Sequence, residues 1–170
     1  MFDEFSRPSK DLYFMNLCIN VAIRSIDPRT KHGCVAVDED GFVLSTGYNG
    51  PLIGSIDCNV PLDNNKYPFM IHAEQNCIFA ATRFGTSLKN CTFYVSGKPC
   101  KGCMNSMIQV GAKRIMYGPI KYESCPKDNE FYNKCLENRN VRFEEFKDVD
   151  SLLKLNGMML EYFRGKIDES

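Results

Sequence analysis

Two short segments of the chain contain the residue types that bind a transition metal. His72 opens "HAE", and Cys100 and Cys103 form the C-x-x-C pair of "PCKGC". Each segment falls at the predicted start of a helix, where residues three apart share a face and exposed amides favour the metal-binding thiolate. The cysteine pair alone fits a redox dithiol or two core residues equally well. His72 favours a metal site, because zinc accepts mixed nitrogen and sulfur ligands.

The number of predicted ligands favours a catalytic site. Three protein ligands would leave the fourth zinc position open, whereas a structural site would have to recruit a remote cysteine such as Cys34 or Cys77. Glu74 stands two residues after His72. Across a helix end, two such residues can lie on either side of the axis, so that one binds metal and the other takes a proton from water. The alternative is a glutamate favoured in a first turn by the helix dipole.

The overall composition argues against several classes of partner. The 170 residues include 21 basic and 21 acidic side chains, a balance that gives no support for a long nucleic acid as partner. The N-terminal residues lack the basic and apolar stretches of a signal peptide, and no apolar run reaches membrane-spanning length. We therefore expect a cytoplasmic protein without a membrane partner, in which most of the nine cysteines are reduced and buried as small hydrophobes.

Helices and strands alternate along most of the chain. Apolar residues at spacings of three and four predict helices, and short β-rich runs between turn residues predict strands. A Gly-, Pro- and Asn-rich loop (49–68) separates the first hairpin from the "HAE" segment. The predicted order is helix 9–26, hairpin 33–48, helix 72–84, strand 92–96, helix 100–110, strand 114–118, helix 127–138, strand 141–146 and helix 151–163.

This order predicts one α/β domain over residues 1–170, with a core over about 9–146 and a C-terminal helix over 151–163. Strands that alternate with helices form parallel pairs through right-handed crossovers, while the opening hairpin must be antiparallel. The predicted fold class is a three-layer α/β/α sandwich with a mixed five-stranded sheet.

The H-A-E and P-C-x-x-C segments together match the signature of the zinc-dependent nucleobase deaminases. Within that superfamily the chain resembles the deoxycytidylate (dCMP) deaminases from about Leu12 to Phe146. The resemblance depends on "AIRSIDP", "GYNGPLIG", "KYPFMIHAEQN" and "PCKGCMNSMIQVGAKRI". It implies a cytidine-deaminase-like fold and one catalytic zinc ion per subunit, held by His72, Cys100 and Cys103.

The resemblance also implies roles in catalysis and substrate binding. Glu74 would move protons, Ala73 would contribute backbone to the base pocket, and Asn49 of "GYNG" would contact substrate. For Asn49 the alternative is an ordinary Asn-Gly turn. Lys121 and Tyr122 match the family's Lys-Tyr pair, placed near base or phosphate. Effector or phosphate binding is implied for Gly47, Tyr48, Gly50, Arg24 and Ser25, although Arg24 could equally be a surface residue that caps the first helix.

The function implied by the resemblance is hydrolysis of dCMP to dUMP for thymidylate synthesis. The family commonly forms hexamers that respond to dCTP as activator and dTTP as inhibitor, usually with Mg²⁺. Two alternatives remain at this point: deamination of a base in RNA or single-stranded DNA, and a non-catalytic zinc-stabilised scaffold. The zero net charge argues against deamination of a nucleic acid. The presence of Glu74 argues against a non-catalytic scaffold.

Cys77, His32 and the "MN" of "PCKGCMN" depart from the family pattern. Cys77 replaces the usual alanine after H-A-E-x-N, which indicates a packing change. His32 stands before Gly33, where a small apolar residue is more common. If His32 lines the pocket, substrate specificity or pH dependence could differ; the alternative is a partly exposed loop histidine.

Overall fold

The computed structural model describes residues 7–57, 68–120, 134 and 136–168, without the side chains of 159–163 and 165–168. The described helices and strands follow the predicted order, with two additional short strands between the hairpin and the second helix. In this part of the chain they are α1 Lys10–Ala22, β1 Gly33–Val37, β2 Val43–Tyr48, β3 Gly50–Pro51, β4 Met70–Ile71, α2 Ala73–Arg83, β5 Thr92–Gly97, α3 Lys101–Gln109, β6 Arg114–Ile120, β7 Arg142–Glu145 and α4 Val149–Asp168.

The main sheet has five strands in the order β2-β1-β5-β6-β7. The hairpin β1–β2 is antiparallel, and β1 also pairs antiparallel with β5. The pairs β5–β6 and β6–β7 are parallel. Because β1 runs against β5, the start of β1 and the end of β5 lie at the same edge of the sheet, which is also where α3 begins.

Helices cover both faces of this sheet, which confirms the predicted three-layer sandwich. On one face, α2 and α3 contribute Cys77, Ala81 and Met107 to a buried cluster with β1 and β5 residues. On the other face, α1 and α4 contribute Met15 and Leu152 to a second cluster. The core is divided into two clusters because successive side chains of β1 point to opposite faces of the sheet.

The helix boundaries follow local chemistry. The hydroxyl of Ser9 accepts a hydrogen bond from the backbone N–H of Leu12 (3.2 Å), which caps α1. The helix ends at Ala22, earlier than the predicted 26, and Ile23 beyond it is 68% exposed. After α3, Gly111 has φ +96°, the left-handed conformation that commonly ends a helix.

The stretch predicted as a loop differs from the sequence prediction. The loop predicted over 49–68 contains β3 and, just beyond it, β4 pairs with β3 as a small antiparallel ladder. Runs of only two residues carry too little pattern to be recognised as strands. Residues 58–67 and most of the helix predicted over 127–138 lie outside the described part of the chain.

The predicted burial of cysteines as small hydrophobes is confirmed for three residues of the two core clusters. Cys18, Cys34 and Cys77 are each 0% exposed, and all are free thiols. Among the described residues, no helix combines the length and the apolar character needed to cross a membrane.

Candidate metal and catalytic site

The predicted metal ligands lie at the starts of two neighbouring helices. His72 is the N-cap residue of α2 and Cys100 is the N-cap residue of α3, both in extended backbone conformations. Cys103 is the third residue of α3, one turn along from Cys100. Helix starts carry amides without intrahelical partners and the positive end of the dipole, which favour thiolates at this position.

The three side chains converge on one point. Nδ1 of His72 lies 3.6 Å from Sγ of Cys100 and 3.5 Å from Sγ of Cys103. All three ligand atoms lie within 4.8 Å of one another. Bonds of about 2.0–2.1 Å to nitrogen and about 2.3 Å to sulfur at a tetrahedral angle place those two atoms about 3.5 Å apart. The donor set therefore fits zinc in both chemistry and spacing.

No fourth ligand joins this cluster among the described residues. The group of possible metal donors contains His72, Cys100 and Cys103, and neither Cys34 nor Cys77 belongs to it. Both of these cysteines are instead part of the buried cluster under α2. Within the described residues the arrangement is that of an open three-ligand site rather than a closed four-ligand site.

Glu74 lies beside the donor cluster and is almost completely buried. It is the second residue of α2 and only 5% exposed. Its side chain is hydrogen-bonded to Cys103, and burial raises its pKa. A carboxyl group next to a metal donor set and shielded from bulk water is placed to exchange protons with a bound reactant. The two-residue spacing from His72 thus brings both side chains to the same helix end.

The two thiols of the cluster are inequivalent without a metal. A hydrogen bond from Cys103 and a second contact with His72 lower the pKa of Cys100 to about 3. The same contact with Cys100, and then burial, raise the pKa of Cys103. The contact with Cys100 also raises the pKa of His72. A bound divalent cation would favour the thiolate form of both cysteines.

Close packing of β2 against α2 fixes the position of the first turn of α2. A Cβ atom at Gly47 would collide with the backbone of Ala73 and Cys77, so only glycine permits this approach. The Asn76 amide donates to the carbonyl of Tyr48 (2.8 Å). Gly50, two residues after Tyr48, pairs with Ile71, the residue before His72. The "GYNG" segment therefore supports the helix start that carries His72 and Glu74.

Asn49 is held by the segment that leads into β1. Its Oδ1 accepts from the N–H of His32 (2.7 Å), and its Nδ2 donates to the carbonyl of Thr30 (2.8 Å). Asn49 is 8% exposed. Nδ2 has a second proton and Oδ1 a second lone pair, so the amide can make further contacts while it holds this segment.

The predicted effector and phosphate residues are partly brought together. The Arg24 guanidinium lies over the Tyr48 ring, 6.0 Å from its centroid. Ser25 is 2% exposed, and its hydroxyl accepts from the N–H of Asp27 (3.2 Å). Lys31 donates to the Ser25 carbonyl. The predicted Lys121 and Tyr122 lie outside the described residues.

Two residues near the site had no role in the sequence prediction. Asn76 joins α2 to β2, as described above. Ser96 is 0% exposed and lies near the end of β5, where its hydroxyl contacts the start of β1. A polar residue that ends an apolar strand just before "KPC" was a signal that could have identified Ser96.

The architecture is that of the cytidine-deaminase-like fold: a mixed five-stranded sheet with a His-Cys-Cys donor set at the starts of two adjacent helices. A family model described as the cytidine and deoxycytidylate deaminase zinc-binding region matches residues 8–119. The chain belongs to this family.

Two relatives of the chain are named as deoxycytidylate deaminases. The probable deoxycytidylate deaminase of Caenorhabditis elegans is 37% identical over 109 residues, which cover 61% of this chain and 54% of that protein. The deoxycytidylate deaminase of Homo sapiens is 35% identical over 118 residues, 65% of each chain. The chain thus spans between half and two-thirds of the length of these relatives.

A solved structure agrees with the fold. The dCMP deaminase of the cyanophage S-TIM5, in complex with dCMP and dUMP, superposes with a TM-score of 0.68 at 23% identity. The match covers 83% of this chain and 99% of the phage chain. At that level of identity, the similarity shows a shared fold.

Proposed function

We propose that this chain is a zinc-dependent enzyme that hydrolyses dCMP to dUMP and ammonia. The observation that carries the proposal is the convergence of His72, Cys100 and Cys103 beside the buried carboxyl group of Glu74. Membership of the deaminase family and the names of the relatives support the choice of reaction and substrate.

The proposed metal site consists of one zinc ion held by Nδ1 of His72 and the sulfurs of Cys100 and Cys103. Zinc bound there would act as a Lewis acid and make a water reactive near neutral pH. The chain's own contribution is to keep three ligands at spacings that zinc accepts and to leave a position open for the reactants.

Glu74 is the proposed proton carrier. The reaction adds water across C4 and N3 of cytosine and then breaks the bond between C4 and the exocyclic nitrogen. Glu74 takes the first proton from water and delivers it to N3. It then takes the proton of the new C4 hydroxyl and delivers it to the amine, which departs as ammonia and leaves the C4 carbonyl of dUMP. A single buried carboxyl group can perform both transfers because it starts and ends ionised.

Substrate positioning is proposed for the backbone of Ala73 and the amide of Asn49. Ala73 is the first residue of α2, so its N–H has no intrahelical partner and can donate to the base. Asn49 joins "GYNG" to the segment before β1 and offers a second donor and acceptor to the sugar. Lys121 and Tyr122 are proposed contacts for base or phosphate from the family resemblance.

Regulation and assembly are proposed from the family resemblance. Arg24, Ser25, Gly47, Tyr48 and Gly50 would bind phosphate or effector, with dCTP as activator, dTTP as inhibitor and Mg²⁺ bound to the triphosphate. The contact between Arg24 and the Tyr48 ring supports a shared role for these two residues. A hexamer is the proposed assembly.

An ultraviolet assay of the purified zinc enzyme against a panel of substrates tests the proposal. We expect turnover of dCMP, weaker turnover of deoxycytidine, and loss of turnover after zinc is removed by a chelator, with recovery when zinc is added back. The same assay with dCTP-Mg or dTTP-Mg tests regulation, and sedimentation tests the hexamer. Deamination confined to RNA or single-stranded oligonucleotides, or no deamination by the zinc-loaded protein, would overturn the proposed function.

A further inference from the structure

His32 occupies a fixed position at the edge of the sheet where α2 and α3 begin. It directly precedes β1, which starts where β5 ends. Its N–H donates to Oδ1 of Asn49 (2.7 Å), and its carbonyl accepts from the N–H of Asn49 (3.1 Å). Both backbone groups of His32 are therefore held by a residue that is itself a proposed substrate contact.

Ser96 orients the imidazole ring. Its hydroxyl accepts from the N–H of Gly33 (3.0 Å) and lies 3.2 Å from Nδ1 of His32. The contact with Ser96 therefore holds the imidazole ring in a fixed orientation at the start of β1.

The electrostatic surroundings agree with a neutral ring close to the donor cluster. Burial lowers the pKa of His32, and positive charge on His72 lowers it further, while Asp27 acts in the opposite direction. A neutral imidazole, which has one donor and one acceptor nitrogen, suits the polar groups of a base. The exposed cations of the preceding loop, Arg24 and Lys31, suit a phosphate better.

We propose that His32 is a substrate-positioning residue whose imidazole ring contacts the pyrimidine base of the bound nucleotide. The proposal rests on the proposed function and adds a binding contact to it. His32 contributes to binding, and its loss weakens affinity for nucleotides with or without a phosphate.

Nuclear magnetic resonance of the histidine rings tests the contact directly in the unmodified zinc enzyme. The chain has only two histidines, so the ring signals of His32 can be assigned by comparison with one variant. Titration with dUMP, which the enzyme does not consume, should shift the His32 signals along the same saturation curve as calorimetric binding. If dUMP binds by calorimetry and the His32 signals stay unchanged, the proposal is wrong.

Variants separate positioning from structural support. His32→Val should raise the dissociation constant of dUMP, and the KM for dCMP, by about three- to tenfold, the usual effect of one hydrogen bond. Zinc content should be unchanged. His32→Gln keeps an amide donor at similar reach and should recover part of the affinity. In His32→Val the fold-increase in dissociation constant should be equal for deoxyuridine and dUMP, because the contact is with the base. An increase seen only with dUMP would assign His32 to the phosphate instead.

A pair of serine variants provides the matched control. Ser96→Ala removes the orienting hydroxyl and should weaken dUMP binding in the same direction as His32→Val. Ser45→Ala removes a hydroxyl that bonds the Cys77 carbonyl (2.7 Å) from β2 and should leave dUMP binding unchanged. Equal effects of the two would contradict the proposal. If the enzyme deaminates dCMP and His32→Val leaves dUMP binding unchanged, only this inference is refuted. If the enzyme binds dUMP but deaminates no dCMP, the proposed function is refuted.

Discussion

Two clusters of ionisable side chains lie at opposite ends of the parallel strands. At the amino end, Arg114 donates to both carboxylate oxygens of Asp11 (2.6 and 2.9 Å) and through Nε to Glu144 (2.7 Å). The Tyr94 hydroxyl also donates to Asp11 (2.7 Å). At the carboxyl end, the donor cluster of His72, Cys100 and Cys103 surrounds a single point beside Glu74.

Both clusters perturb pKa values, yet only one has the properties of a catalytic site. The bond to Arg114 lowers the pKa of Asp11, and burial raises that of Tyr94. In this amino-end network both carboxylates, Asp11 and Glu144, accept hydrogen bonds from the Arg114 guanidinium. The carboxyl-end cluster contains three metal donors whose ligand atoms lie within 4.8 Å of one another. A shifted pKa therefore identifies an electrostatic cluster, and the donor types and their convergence identify the candidate site.

The strongest test of this contrast removes a metal donor. Cys100→Ser should lose both zinc and dCMP turnover, because a neutral serine hydroxyl is a poor replacement for a thiolate in a three-ligand site. Metal analysis and the ultraviolet assay measure the two losses on the same preparation. Cys91→Ser, at a buried thiol outside the donor cluster, should keep zinc even if stability falls. Normal zinc content in Cys100→Ser would contradict the ligand assignment.

A second test displaces the site without touching its side chains. Gly47→Ala places a methyl group against the backbone of Ala73 and Cys77 and should shift the start of α2. Misplacement of reacting groups by about 1 Å can cost about 10²-fold in rate, so kcat/KM for dCMP should fall by that order. Gly157→Ala, where an added Cβ meets nothing within 4 Å, is the matched control and should leave kcat/KM unchanged. Equal activity in both variants would show that β2 does not position the site.

The amino-end network should respond in stability rather than in catalysis. Arg114→Met removes the charge-assisted hydrogen bonds of a residue whose side chain is 15% exposed, and should lower the free energy of unfolding by about 1.5–3 kcal/mol. Lys113→Met breaks the neighbouring Lys113–Glu39 pair, whose side chains are 53% and 56% exposed, and should cost less than about 1 kcal/mol. Urea denaturation measures both. A tenfold loss of kcat/KM in Arg114→Met at temperatures where it is folded would contradict the separation of the two clusters.

The smallest expected effect is a pH dependence at Asp11. The hydrogen bond from Arg114 holds the folded-state pKa of Asp11 below its ordinary value, so its ionised form stabilises the fold above the unfolded-state pKa. That contribution is lost as pH falls through the folded-state pKa. The stability difference between wild type and Asp11→Asn should therefore be largest near about pH 7 and shrink below about pH 4. A difference that grows on acidification would have the wrong sign for this account.

The sequence predicted the donor cluster more completely than it predicted what supports it. His72, Glu74 and the C-x-x-C pair are recognisable because their residue types and spacing are unusual for a packed core. The order of helices and strands followed from periodicity and turn residues, as for the hairpin of β1 and β2.

The supporting contacts could not be predicted because they join residues far apart in sequence. The bonds of Ser96 to the start of β1, and of Arg114 to Asp11, depend on strand order and on which side chains face each other across the fold. The approach of Gly47 to α2 likewise requires knowledge of how β2 packs. Local patterns carry no record of such pairings, so these residues become visible only in three dimensions.

The most direct test of the central claim compares one chemical change at the two clusters. Glu74→Gln should keep one zinc ion per chain, since the carboxyl group is not a ligand, and should reduce dCMP turnover by about 10²–10⁴-fold, the usual contribution of a general acid–base group. Glu144→Gln, the same substitution in the amino-end network, should leave turnover near that of wild type. Zinc loss in Glu74→Gln, or turnover comparable to wild type, would contradict the account.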